Sequence, residues 1–408
     1  MTASSAGGAP PRILFIGRGE SSHARNWIDL FKGSGFDVRL FSMPTGSPPD
    51  DWPVTTYVSQ CPPVPGITPG SRVNLYPGNR AGQELRRFVA RFGTLGQGNI
   101  AGRWLGRILA EWKPDVIQTI GIRYASYFLL HVRKNFVTGP LGKWVVQDWG
   151  PDLTMDRLLD EHRPRILEIL HTCDGYFSDN AYNIEVARSL GLTEARTAPV
   201  GPVLATGGVD AAELRGLVRD APSRRERRIL WPKAYNCAQS TAYPVFEALK
   251  LCWERIAPCT VRMTAMSQED IRLWFAALPD GIRRNCTLEG RIDRPELLQS
   301  LASSRVMLAP TLSDGMPNVL AEAMAMGTVP VVSPLAPITA HLDEENILFA
   351  RNLYPDEIAD ALVRAMNDDA LADRMARTNM EKAPLLFDRA RTREKMLSYY
   401  ESLAARAR

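Results

Sequence analysis

No run in the sequence approaches the roughly 20 apolar residues that a membrane-spanning helix requires, which sets aside a protein built from spanning helices. Cysteine is sparse: Cys61, Cys173, Cys237, Cys252, Cys259 and Cys286 are scattered, with no CxxC pair. That spacing argues against a zinc ribbon or a disulfide scaffold, and makes a reducing cytoplasm the expected compartment. Histidine is equally sparse, and His23, His131, His162, His171 and His341 share no ligand spacing, so no metal site is expected. Charge of one sign is nearly absent in excess, with 49 Lys and Arg against 45 Asp and Glu for a net +4. A nucleic-acid binder concentrates far more positive charge on one face, so no nucleic-acid partner is expected. Residues 1–11 lack the basic and apolar regions of a secretion signal and read as a flexible leader. No tandem repeat is found.

What is present is a globular balance, 45% hydrophobic and 23% charged over 408 residues. That length exceeds one ordinary core and predicts two domains. Short apolar runs at 12–16, 37–42, 115–119, 143–147 and 175–178 alternate with helical-period segments. A second series follows at 228–231, 260–264, 286–289, 305–309 and 329–333. This βαβ rhythm predicts an α/β protein of two Rossmann-like, doubly wound parallel sheets facing an interdomain cleft. The expected division is a domain at 12–205, a linker at 206–227, a second domain at 228–387 and a last helix at 388–408. The linker reading rests on Gly207-Gly208 and the charged run 224–228. The last helix carries Met396, Leu397, Tyr400 and Leu403 on one side and is expected to dock on the first domain.

The most informative stretch is 309–333, APTLSDGMPNVLAEAMAMGTVPVVS. A strand ends at Ala309, a polar loop follows, Pro317 suits a first helical position, and Gly327 suits a left-handed stop. A strand–loop–helix–strand unit of this kind aims a helix N-terminus at the sheet's carboxyl end, where an anion is favoured. Asp314 precedes that terminus, and Glu322 lies about 7–8 Å further along at 1.5 Å per residue, on one face with Asn318. The plain reading is a capping Asp and an exposed Glu. Ala321, Ala323, Met324 and Ala325 instead make the helix read as buried, and a buried Glu needs a partner. Two acids flanking an anion site suit a nucleoside diphosphate sugar, which has hydroxyls at both ends and phosphate between.

Residues 313–327, an acid followed by seven residues and then Glu, resemble the signature of retaining GT-B glycosyltransferases of family 4 (glycosyl transferases group 1). The segments 289–298 and 328–333 fit the same pattern. The resemblance implies the GT-B fold, a nucleotide sugar held by the second domain and an acceptor held by the first. It implies that Glu322 binds ribose hydroxyls, that Asp314 faces the donor sugar, and that Gly315, Met316, Pro317, Asn318 and Val319 line the sugar and diphosphate. Arg291, in the fitting upstream segment, joins the donor set. Two departures stand out: the family usually has Glu where Asp314 stands, and Gly-Arg with a later Lys where this chain has only Lys233 at the strand end. Lys233 is the candidate for the diphosphate, with a surface lysine as the plain alternative. No DxD-like pair ends a strand, which agrees with transfer that requires neither metal nor cofactor, charge on the leaving group being met by cations and amides.

On the acceptor side, residues 17–23 (GRGESSH) follow the first strand. A lone GxG is a weak dinucleotide signal, and Ser22 reads equally well as an N-cap. The resemblance turns Arg18, Gly19, Ser22 and His23 toward the cleft. Asp148, Trp149 and Asp152 follow the strand at 143–147, where the two acids either orient an acceptor hydroxyl or relay its proton, or else form an Asx-turn with an N-cap. Between Arg80 and Lys113, Arg86, Arg87, Arg91, Arg103 and Arg107 interleave with Phe88, Phe92, Trp104 and Trp112. That region reads either as peripheral contact with an anionic membrane face or lipid, or as a solvated face over core aromatics.

The leading expectation is a metal-independent retaining transferase that moves a sugar from a nucleotide sugar, UDP-linked first and GDP-linked next, to a hydroxyl acceptor. The acceptor class, whether carbohydrate, lipid-linked, protein or small molecule, is left open. Alternatives are a nucleotide-sugar epimerase or hydrolase on the same fold and a non-catalytic nucleotide-sugar-binding partner.

Overall fold

The computed structural model describes residues 9–43, 46–59, 72–76, 78, 81–82, 97–264 and 268–407. Arg80, Arg86, Phe88, Arg91, Phe92 and most of the leader lie outside them, as do Arg87 and Cys61. Two compact units emerge. One holds the described residues of 1–179, Asn183–Gly207 and 391–408, and the other holds Asn180–Tyr182 and Gly208–Ala390.

The first unit is built on β1 (Arg12–Gly17), β2 (Asp37–Ser42), β3 (Thr55–Ser59), β4 (Val73–Tyr76), β5 (Val116–Ile120), β6 (Lys143–Asp148) and β7 (Gly175–Ser178). They lie in the order β4-β3-β2-β1-β5-β6-β7, and all six pairings are parallel. A parallel sheet is covered on both faces, which is why its strands read as continuous apolar runs. Leu14 and Ile16 join one core with Ile117, Trp144 and Val146, while Ile13 and Phe15 join another with Val116, Val145 and Phe177. The second face is completed by the helix Arg389–Ala407, which buries Met396, Tyr399, Tyr400 and Leu403. Tyr400 meets Phe31 edge-on and donates its hydroxyl to Gln118, which also accepts from Trp27 Nε1 at 3.1 Å. Of the interleaved aromatics, Trp104 packs on Phe41, Tyr57 and Tyr76, and Trp112 lies under Arg39. In the described part of that region, Trp104 and Trp112 therefore pack against the first unit.

The second unit is built on β8 (Glu226–Trp231), β9 (Thr260–Met263), β10 (Cys286–Leu288), β11 (Ser304–Ala309), β12 (Val329–Val332) and β13 (Leu348–Phe349). The order is β10-β9-β8-β11-β12-β13, again parallel throughout. The segment expected as a linker carries a helix, Ala211–Gly216, capped by the side chain of Asp210. Its charged run is equally structured, because Arg225 is buried and donates to the carbonyls of Asp220, Ser304 and Met326 and to Thr328. Those acceptors, distant in the chain, give the run a partner set that its local composition does not reveal. The five described cysteines are free, and no described helix is long and apolar enough to cross a membrane.

Candidate active site

Ligands of open α/β sheets sit beyond the carboxyl ends of the strands, where the strand order reverses. In the second unit that reversal falls between β8 and β11. The loop after β8 begins Pro232-Lys233 and the loop after β11 runs from Pro310 to Pro317, so the topology brings these two loops to one place. They are tied together: Leu312 N donates to Gln239 O at 2.8 Å, and Asn352 Nδ2 donates to Pro310 O at 2.8 Å and Thr241 O at 3.0 Å. Across this junction Lys233 Nζ and a carboxylate oxygen of Asp314 form an ion pair, with side chains 22% and 21% exposed. The other oxygen of Asp314 accepts from Gly315 N at 3.0 Å. Tyr235 lies close by, its hydroxyl pushed up by burial and pulled down by Lys233.

The helix after this loop is Asn318–Ala325, with every residue from Val319 to Ala325 buried. Pro317 is its N-cap with extended backbone, one position before the first helical residue at which the sequence reading set it. The Pro317 carbonyl accepts from Leu320 N at 3.0 Å and Ala321 N at 3.2 Å. The helix ends in a Schellman turn, with Gly327 at φ 67°. Thr328 N bonds Ala323 O at 2.9 Å and Gly327 N bonds Met324 O at 3.1 Å. Gly315 and Met316 are buried beside Asp314, and Asn318 is half-buried.

Glu322 is 3% exposed. Burial pushes its carboxyl up, and the Arg294 guanidinium, with Nη1 at 2.7 Å from Oε1, pulls it back. The contact lies off the N–H direction, so Oε1 has no aligned hydrogen-bond donor. Arg294 was not singled out from the sequence. Its neighbour Arg291 was, and Arg291 is exposed in the loop after β10. The available signal was the requirement that a buried Glu have a counter-charge, which names no donor.

In the first unit the reversal falls between β1 and β5, flanked by β6. The segments after these strands hold the expected acceptor-side residues. Gly19 is packed so closely that a Cβ would meet Ser42 Oγ at 2.8 Å and Gly46 O at 2.9 Å. Arg18 is exposed and paired with Glu20 at 2.7 Å. The helix Ser22–Ile28 has Ser21 as its N-cap, without a side-chain hydrogen bond, so Ser22 is its first residue rather than its cap. His23 is exposed and stands 6.2 Å from the Trp149 ring, joining the segments after β1 and β6.

The two acids after β6 separate. Asp148 is fully buried, and its Oδ2 accepts from Tyr176 OH at 2.9 Å, Ser178 Oγ at 3.0 Å and Asn183 Nδ2 at 2.7 Å. Burial, then Asp152 and Asp179, hold its carboxyl well above the usual range against the hydrogen bonds of Tyr176 and Asn183. Asp148, expected among the catalytic groups, is thus enclosed by donors from β7 and the helix after it, at the turn that carries Trp149. Asp152 is partly exposed, and its Oδ2 accepts from Ile122 N at 2.7 Å and Trp149 N at 3.4 Å. Burial raises it to about 6 despite those two bonds. Among the described residues no group of three or more His, Cys, Asp or Glu side chains is placed to hold a metal ion.

Comparison with solved structures places this architecture. Sucrose-phosphate synthase from Thermosynechococcus elongatus matches with a TM-score of 0.68 at 16% identity, over 97% of this chain and 100% of that one. Anabaena HepE in complex with UDP and glucose matches at 0.66 and 12% identity, over 96% and 100%. The fold is GT-B. A Listeria monocytogenes protein assigned as a UDP-N-acetylglucosamine 2-epimerase shares this GT-B architecture, at 0.62 and 13% identity over 97% and 96%. Residues 243–368 match the model of the glycosyl transferases group 1 family, a span that includes Arg291, Arg294, Asp314 and Glu322 and leaves out Lys233. No curated protein sequence matches the chain.

Proposed function

We propose that the protein is a glycosyltransferase that moves a sugar from a nucleotide-sugar donor to a hydroxyl acceptor. The observation that carries this reading is the acid–seven–acid segment inside the family-matched span. Its first acid is paired with Lys233 at the sheet's reversal point, and its second is buried on the following helix.

In this reading Glu322 takes the ribose hydroxyls, Asp314 faces the sugar, and Lys233 with the backbone N–H groups of Gly315, Met316, Asn318 and Val319 meets the diphosphate, Pro317 lining the site without a donor of its own. As the bond from the anomeric carbon to the phosphate oxygen breaks, negative charge grows on the leaving diphosphate. A fixed ammonium and fixed N–H groups stabilise that charge in place, and the chemistry needs no metal. The new bond forms to the acceptor oxygen on the face from which the diphosphate departs, so the anomer is retained, and the acceptor proton passes to the leaving phosphate, so no enzymic base is required. His23, Trp149 and Asp152 form the acceptor-side surface of the first unit. A UDP donor is favoured because a structure of the same fold holds UDP and glucose. The free cysteines suit a reducing, cytoplasmic setting.

The shared fold with a 2-epimerase assignment makes nucleotide-sugar epimerisation the second reading. Incubation with UDP-, GDP- and ADP-sugars in chelator, with and without a panel of hydroxyl acceptors, separates the two. Acceptor-dependent release of nucleoside diphosphate and a retained anomer by NMR support transfer. An epimerised sugar without acceptor sinks it.

A further inference from the structure

A carboxylate buried among apolar side chains either gives up its charge or is paired. Glu322 has no basic neighbour on its own helix, Asn318–Ala325, and its counter-charge arrives from another element. That element is the helix Arg294–Ser303, whose first residue reaches Glu322 at 2.7 Å. The helix that carries Arg294 is itself anchored. Asp293 caps the helix by accepting from Glu296 N at 2.8 Å, and Arg262 on β9 bridges Glu289 at the end of β10 to Glu296 and Ser300. The helices Ala211–Gly216, Arg294–Ser303 and Asp369–Phe387 pack against the Glu322 helix, and Arg294 is the charged group that acts on Glu322.

We propose that Arg294 is the positioning residue for Glu322, fixing it as an ionised acceptor for the two vicinal hydroxyls of a donor ribose. The assignment rests on reading this site as a nucleotide-sugar site, and it adds a residue and a physical role to that reading. A protonated carboxyl carries an O–H donor on one oxygen and loses part of its accepting capacity. An ionised one is acceptor-only on both oxygens, which matches two hydroxyl donors. Arg294 stands 2.7 Å from the buried Oε1, and that ion pair keeps the carboxylate charged on the side turned away from a ligand's approach through Oε2.

The test is calorimetric titration of the full chain with UDP, GDP, ADP and their 2′-deoxy counterparts between pH 5.5 and 8.5. Wild type is compared with Arg294→Gln, Arg294→Lys and Glu322→Gln, each checked for an unchanged melting transition. Wild type is expected to bind one ribonucleotide about tenfold or more tighter than its 2′-deoxy form, as for a hydrogen bond to a charged group. Arg294→Gln is expected to erase most of that ratio and to make binding strengthen with rising pH, and Arg294→Lys to restore the ratio. An unchanged ratio and pH profile in Arg294→Gln, with the ratio lost in Glu322→Gln, overturns the role of Arg294 and leaves the nucleotide site standing. Absence of binding by every nucleotide to wild type overturns the site reading and this assignment with it.

Discussion

Lys233 and Asp314 stand 81 positions apart in the chain and meet as an ion pair. Each follows one of the two strands between which the order of the second sheet reverses. A cation expected for a diphosphate and an acid expected for a sugar thus hold one another, side chains about one-fifth exposed.

The pair should behave as a unit. Lys233→Met is expected to lower kcat with a sugar nucleotide by about 10²–10³-fold, the usual cost of removing one preorganised group from a developing oxyanion. Asp314→Asn should act on the same step, and the double variant should lose less than the two single losses combined, because the partners are in contact. Steady-state kinetics on the four proteins checks this, and strict additivity counts against a shared role. Asp314→Glu, one methylene longer, should alter the preference among donor sugars rather than among bases.

Asp152 predicts a pH dependence. Its folded-state value of about 6 lies above the ordinary range near ~4. The folded protein therefore binds a proton that the unfolded chain releases earlier. The resulting stabilisation is full below about pH 4, is lost as pH rises through about 6, and is flat beyond. Asp152→Asn keeps an acceptor for Ile122 N and Trp149 N while removing the titration. Chemical denaturation from pH 4.5 to 7.5 should show a shallower slope in the variant, and superimposable slopes would falsify the assignment.

Gly327→Ala should destabilise the second unit by roughly 1–2 kcal/mol, since the position lies at φ 67° in a Schellman turn where a Cβ is disfavoured. An added Cβ would also meet Met380 Sδ at 2.9 Å and Ala376 Cβ at 3.1 Å. The readout is the denaturation midpoint of the full chain. A midpoint equal to wild type would show that the turn relaxes without strain.

In the first unit Gln118 accepts from Trp27 and Tyr400, and its amide donates to Gln147 Oε1 at 2.9 Å. Tyr400→Phe leaves Gln118 its other partners and should cost about 1 kcal/mol. Gln118→Leu orphans three buried groups and should cost roughly 2–4 kcal/mol. The comparison is made by urea denaturation, and equal losses would mean that the network is not what anchors Tyr400.

Most elements, and much of the chemistry that depends on neighbours along the chain, are legible in the sequence. The expected strands at 37–42 and 175–178 coincide with β2 and β7, whose apolar residues Leu40-Phe41 and Tyr176-Phe177 are buried. The loop–helix unit around Asp314 and Glu322 was equally legible, since its Pro, its Gly and the spacing of its acids act within one turn or two. The strands Thr55–Ser59 and Val73–Tyr76 and the two-residue β13 were not, being short or half-buried. Tertiary structure alone decided who meets whom. Strand order, which pairs β8 with β11 and β6 with β7, set Lys233 on Asp314 and gathered Tyr176, Ser178 and Asn183 around Asp148. Helix packing set Arg294 on Glu322. A side chain's charge state and its freedom to meet a ligand follow from such distant partners and from burial, which arise only when the chain has folded.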